Sequence, residues 1–161
     1  MFPPLPSWDT LHPLIVHFPI GVLIVAPVLA VLGLFVRRYS RCFSVAALVL
    51  MFLGTVAAWF AVATGEAAAQ LAERTPEITA TIERHQDLAE WARTIFTILT
   101  AVYATLLLVP PVMKKPLAAK IDVVAQVVFL IFYGATCLLL ANAAHLGGLL
   151  VHKYDVRSMF P

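Results

Sequence analysis

Five histidines and one glutamate carry most of the chemistry open to this chain: His12, His17, His85, His145, His152 and Glu66. A neutral imidazole presents one N–H and one nitrogen lone pair, so it can ligate haem iron, bind a metal ion or relay a proton. A carboxylate beside imidazoles extends that set to mixed His and Glu sites for zinc, copper or iron. No HExxH pair, phosphate loop, dinucleotide fingerprint or nucleophile elbow competes with them. Nothing marks a soluble enzyme. Cys42 and Cys137 have no thiolate-site spacing, and they read as small apolar fillers without a disulfide between them.

The elements that must position these groups are hydrophobic. Of 161 residues, 61% are hydrophobic and only 12% charged, with a mean hydropathy of +0.92. A soluble domain carries about 25% charged residues, so this chain could not cover a water-facing surface. Four apolar runs stand out, at about 14–36, 42–64, 91–109 and 123–150. Each approaches or exceeds the roughly 20 residues that span a hydrocarbon core as a helix. The runs do not alternate as barrel strands would, and open sheet edges are excluded in lipid. The expectation is an all-α integral membrane four-helix bundle, up-down-up-down, forming one domain over residues 1–161. Pro19 and Pro27 lie inside the first run and are expected to bend it. No Lys or Arg precedes that run, so it is expected to stay as a span and not to act as a signal peptide.

The connections differ in charge. Arg37, Arg38 and Arg41 follow the first run, and Lys114, Lys115 and Lys120 follow the third. The middle connection, 65–90, carries six carboxylates. Basic connections stay inside, which places both termini and the middle connection outside, on the periplasmic side of a bacterial inner membrane. Thr75-Pro76 has the form of a helix start, a capping hydroxyl followed by proline at the first helical position. The second helix is expected to reach about Arg74. The net charge of +2 gives no sign of a nucleic-acid partner, and the expected surroundings are membrane lipids.

Counting helix rise at about 1.5 Å per residue from the basic connections puts His12, Glu66, His85 and His145 at similar heights, roughly 38–42 Å, with His17 at roughly 33 Å. Each helix thus offers an ionisable group to one layer near the outer boundary. Polar groups in a bundle tend to face one another or a cavity and not lipid. Histidines also gather at headgroup level simply because they tolerate it. His12 and His17, five apart, point about 140° away from each other and cannot both aim at one centre without distortion. Gly65 and the Gly147-Gly148 pair lie beside this layer and would permit close approach of a helix or a flat cofactor. Asn142 lies one turn below His145.

Leu11–Pro19, LHPLIVHFP, resembles the signature of a bacterial family of small four-helix membrane proteins known as a domain of unknown function. Thr64-Gly65-Glu66, Arg84-His85 and His145-Leu146-Gly147-Gly148-Leu149-Leu150-Val151 are similar to further pieces of it. The family's tyrosine and glycine-valine tail is replaced here by His152 and Tyr154-Asp155-Val156. The family is similar to modules beside Rieske or cytochrome c domains, which implies a link to electron transfer and a redox partner of that type.

The leading expectation is an electron-transfer module with haem b ligated by His12 or His17 together with His85 or His145, and Glu66 and Asn142 in support. The alternative is a metal site of His17, Glu66, His85 and His145 holding zinc, copper or iron. A cofactor-free structural or transport subunit is the third, and a homo-oligomer is compatible with each.

Overall fold

The structure, a computed structural model, describes residues 8, 11–114 and 118–156; Lys115 and Arg157 lie outside the described residues. Its helices are α1 (His12–Ile15), α2 (His17–Phe35), α3 (Ser40–Leu71), α4 (Pro76–Val112) and α5 (Ala119–His152), with a short 3-10 turn at Arg37–Tyr39. The first two form one span, because Val16 between them keeps a helical backbone (φ −58°, ψ −32°). Pro19 has no N–H, so the Ile15 carbonyl loses its usual partner four residues on, and the ladder is interrupted there. Four spans are therefore long and apolar enough to cross a membrane. The protein is an all-α, multi-pass membrane bundle.

Two boundaries differ from expectation. The second helix ends at Leu71, short of Arg74, because Ala72 turns extended (ψ 140°) and the Arg74 guanidinium folds back to donate to the Ala69 carbonyl (3.0 Å). The third runs on through Pro110 and Pro111 to Val112 before turning, so these prolines belong to the span and not to the connection. The start of α4 is as expected: Thr75 Oγ1 accepts from the Ile78 N–H (3.3 Å) and Pro76 occupies the first turn.

Only 17–33% of the most apolar window of each span is buried inside the bundle. Phe35, Phe132, Ile131 and Leu138 point outward, and lipid is the solvent that accommodates them. In such a solvent the helices associate by close packing and internal hydrogen bonds, not by exclusion of water. The span α1–α2 packs on α3, α3 on α4 and α4 on α5, each pair antiparallel, and α5 closes the ring more loosely on α2. Gly54 lets α2 and α3 come close: a Cβ there would sit 2.7 Å from Leu23 Cγ. Tyr133 donates its hydroxyl to the Leu23 carbonyl (3.0 Å) from a fully buried position. Pro27 explains why that carbonyl is free, since its missing N–H would have been the partner. Thr55 and Thr100 share a second buried hydrogen bond, 2.9 Å, between α3 and α4.

The buried positions repeat. Pro19, Leu23, Ala26 and Ala30 of α2 correspond to Ala92, Phe96, Leu99 and Tyr103 of α4, each 73 positions on. Ala47, Met51, Gly54 and Ala61 of α3 correspond to Phe129, Tyr133, Thr136 and Ala143 of α5, each 82 positions on. All sixteen are buried. The chain is thus two helical hairpins of the same sense, and equivalent helices lie on the diagonals of the ring.

Candidate functional site

Toward the same end of each hairpin the repeat brings a histidine inward. His12, at the start of α1, donates from Nδ1 to the Ala61 carbonyl on α3 (2.9 Å), with Thr64 Oγ1 at 3.3 Å. His85, in α4, donates from Nδ1 to the Ala143 carbonyl on α5 (2.8 Å). The two residues are 73 positions apart and their acceptors 82, the same offsets as the core. A carbonyl can only accept, so Nδ1 carries the proton in both rings, and the neutral imidazole leaves its lone pair on Nε2.

Glycine seats each ring. A Cβ on Gly65 would lie 2.8 Å from His12 Cε1, and one on Gly147 would lie 3.1 Å from His85 Cε1. Each glycine sits one turn beyond the carbonyl acceptor on the same helix. The rings meet across the diagonal of the bundle, their centroids 6.3 Å apart and their planes at 80°. Among the described residues the helices bearing them make no close backbone contact with each other, so the imidazoles span that diagonal. On the outer side Ile78, Ile82 and Leu150 pack over this layer; the main core, beginning at Ala92 and Phe96, lies beneath it. The pair is therefore half-buried between two apolar clusters.

The other candidates are elsewhere. His17 is exposed and bonds its own helix, donating from Nδ1 to the Pro13 carbonyl (3.0 Å). Glu66, His145 and His152 are exposed. Asn142 is exposed and donates to Leu138 O, one turn back (2.9 Å), without reaching either inward histidine. Helical phase accounts for this. Glu66 is about 100° round the helix from inward-facing Gly65, and His145 about 160° from Gly147. The layer contains two histidines and two glycines facing inward, in place of one ionisable group from each helix. No three His, Cys, Asp or Glu side chains gather as a metal cage among the described residues, so His17, Glu66, His85 and His145 are not drawn together there. Cys42 and Cys137 are free thiols.

Residues 8–159 match the model of a family described as "Predicted membrane protein (DUF2231)". The chain belongs to that family. The match spans the whole bundle, including both inward histidines and both seating glycines. No curated protein and no solved structure matches the chain. Ala61 and Ala143 are the partners of the inward histidines that the sequence concealed, because they accept through their main-chain carbonyls. The paired Ala-x-x-x-Gly segments, Ala61–Gly65 and Ala143–Gly147, are the signal that could have found them.

Proposed function

We propose that the chain is a membrane electron-transfer module in which His12 and His85 would hold a b-type haem. The carrying observation is the pair itself: two imidazoles on diagonal helices, 6.3 Å between ring centres, each fixed through Nδ1 with Nε2 free. The donor count favours haem over a bare ion. A low-spin b-type haem would take two ligands from protein, whereas a structural zinc site takes four side chains. The Nδ1 bonds to Ala61 and Ala143 would hold tautomer and ring rotation, as such partners do for metal-bound histidines. Ile78, Ile82 and Leu150 would limit water at the pair. When bound, haem supplies a one-electron redox centre.

The basic end of the bundle faces the cytoplasm in this reading, so the pair lies near the periplasmic face of a bacterial inner membrane. No histidine lies near the basic end, so one chain cannot carry electrons across the membrane between two bis-histidine haems. A soluble periplasmic donor or acceptor, of the cytochrome c or Rieske kind that the family resemblance suggests, fits that placement. The test is an optical spectrum and metal analysis of the full chain purified from haem-replete cells. A red protein with the reduced-minus-oxidised bands of a low-spin b-type haem is expected. A colourless protein with near-stoichiometric zinc, copper or non-haem iron would move the pair to the metal-ion alternative, and one with neither would leave a structural or transport role.

A further inference from the structure

The opposite end of the bundle holds a second site of different chemistry, independent of what the histidines bind. A cavity of about 630 Å³ opens there between the ends of α2 and α4 and the starts of α3 and α5. Arg37, Arg38, Arg41 and Lys114 line it, against one lining carboxylate, Asp122. Asp122 is already engaged, accepting from Gln126 Nε2 at 2.9 Å. Lys114 stands at the rim, just past the C-cap of α4, in the left-handed backbone (φ 53°) that ends the helix. At the floor is Tyr103, 3% exposed, whose buried hydroxyl completes no hydrogen bond with the protein; Ser44 is the polar side chain beside it. A buried unmatched hydroxyl is costly unless a ligand satisfies it. Four cations and a waiting O–H donor describe a phosphate site.

Leu106 lines this cavity and also a groove of about 360 Å³ formed with Ile98, Ala101, Val102 and Thr105. The groove follows α4 for about 12 Å into the membrane-spanning region, judged by helix rise. Phe35 and Val112, both about 80% exposed, flank this end and mark the apolar boundary. A free phosphate would use the cavity and leave the groove. A phospholipid uses both.

We propose that this end binds an anionic phospholipid, its phosphate among Arg37, Arg41, Lys114 and the Tyr103 hydroxyl and one acyl chain in the α4 groove. The test is native mass spectrometry of the full chain in neutral detergent, titrated with phosphatidylglycerol, phosphatidylcholine or inorganic phosphate. Phosphatidylglycerol should bind about tenfold tighter than phosphatidylcholine, and Arg41→Gln or Lys114→Gln should each weaken it about tenfold, the loss of one charge-assisted contact. Tyr103→Phe, which keeps the ring and hence the packing, should weaken it several-fold. Ala101→Phe fills the groove from an exposed position and should weaken phosphatidylglycerol while leaving inorganic phosphate binding unchanged. Circular dichroism melts establish that each variant is folded. Equal affinity for the two lipids would overturn the proposal. So would a triple Arg37→Gln, Arg41→Gln, Lys114→Gln variant that keeps the preference. Inorganic phosphate binding as tightly as the lipid, with Ala101→Phe having no effect, would mark a free-phosphate site and overturn it as well.

Discussion

Each inward imidazole is held by two things its neighbouring helix provides, a carbonyl oxygen and a missing Cβ. The second makes a sharp test. Gly65→Ala places a methyl group 2.8 Å from His12 Cε1, closer than carbon atoms tolerate, and Gly147→Ala places one 3.1 Å from His85 Cε1. The His12 ring must swing away, and the His85 ring must give by a few tenths of an ångström. A haem-to-protein ratio should therefore fall to a small fraction in Gly65→Ala and by a lesser factor in Gly147→Ala. Gly148→Ala is the control, since its Cβ meets nothing within 4 Å, and it should keep full occupancy. Loss of haem in Gly148→Ala equal to that in Gly65→Ala would contradict the assigned seats. The sequence displayed His12 and His85 among four candidate ligands but could not choose between them. The choice depends on which way each helix is turned, and a height count along helices carries no phase. Gly65 and Gly147 beside the histidines were legible as room for close approach; that they seat the imidazoles was not.

The helices themselves were legible because apolar length and proline position are local properties. Thr75-Pro76 starts α4 as its chemistry requires. What local reasoning missed is compensation between helices. Pro27 stays helical in mid-span, and Tyr133, more than 100 residues away in sequence, answers the carbonyl it frees. A double-mutant cycle measures this. Tyr133→Phe alone should destabilise the bundle by about 1 kcal/mol, the typical worth of a hydrogen bond. In a Pro27→Ala background, where the new residue's own N–H can reach the Leu23 carbonyl, the same change should cost much less; equal costs in both backgrounds would contradict the compensation. Gly54→Ala tests the α2–α3 contact. Its Cβ would press on Leu23 and Val22 at 2.7–2.8 Å, and overpacking of this kind costs about 1–3 kcal/mol by unfolding in mixed micelles. An unchanged unfolding midpoint would mean that the two helices have room to spare there.

At the scale of the molecule, the bundle is two helical hairpins with the histidine pair at one end and the basic connections, with Arg37, Arg38, Arg41, Lys114 and Lys120, at the other. The repeat was hidden in the sequence because most equivalent core positions keep burial and not identity: Leu23 answers to Phe96, and Met51 to Tyr133. The proposed orientation rests on the two basic connections. In a background with Cys42 and Cys137 replaced by serine, Thr79→Cys should react with an impermeant maleimide in intact cells, and Lys120→Cys only after permeabilisation; the reverse pattern would invert the proposed topology. The central claim, that His12 and His85 form one haem site, is met most directly by the reduced-minus-oxidised spectra of five single variants. His12→Ala and His85→Ala should each abolish the low-spin b-type bands, while His17→Ala, His145→Ala and His152→Ala should retain them at the level of the parent protein. Bands that survive both His12→Ala and His85→Ala, or that vanish in His17→Ala or His145→Ala, would contradict the account.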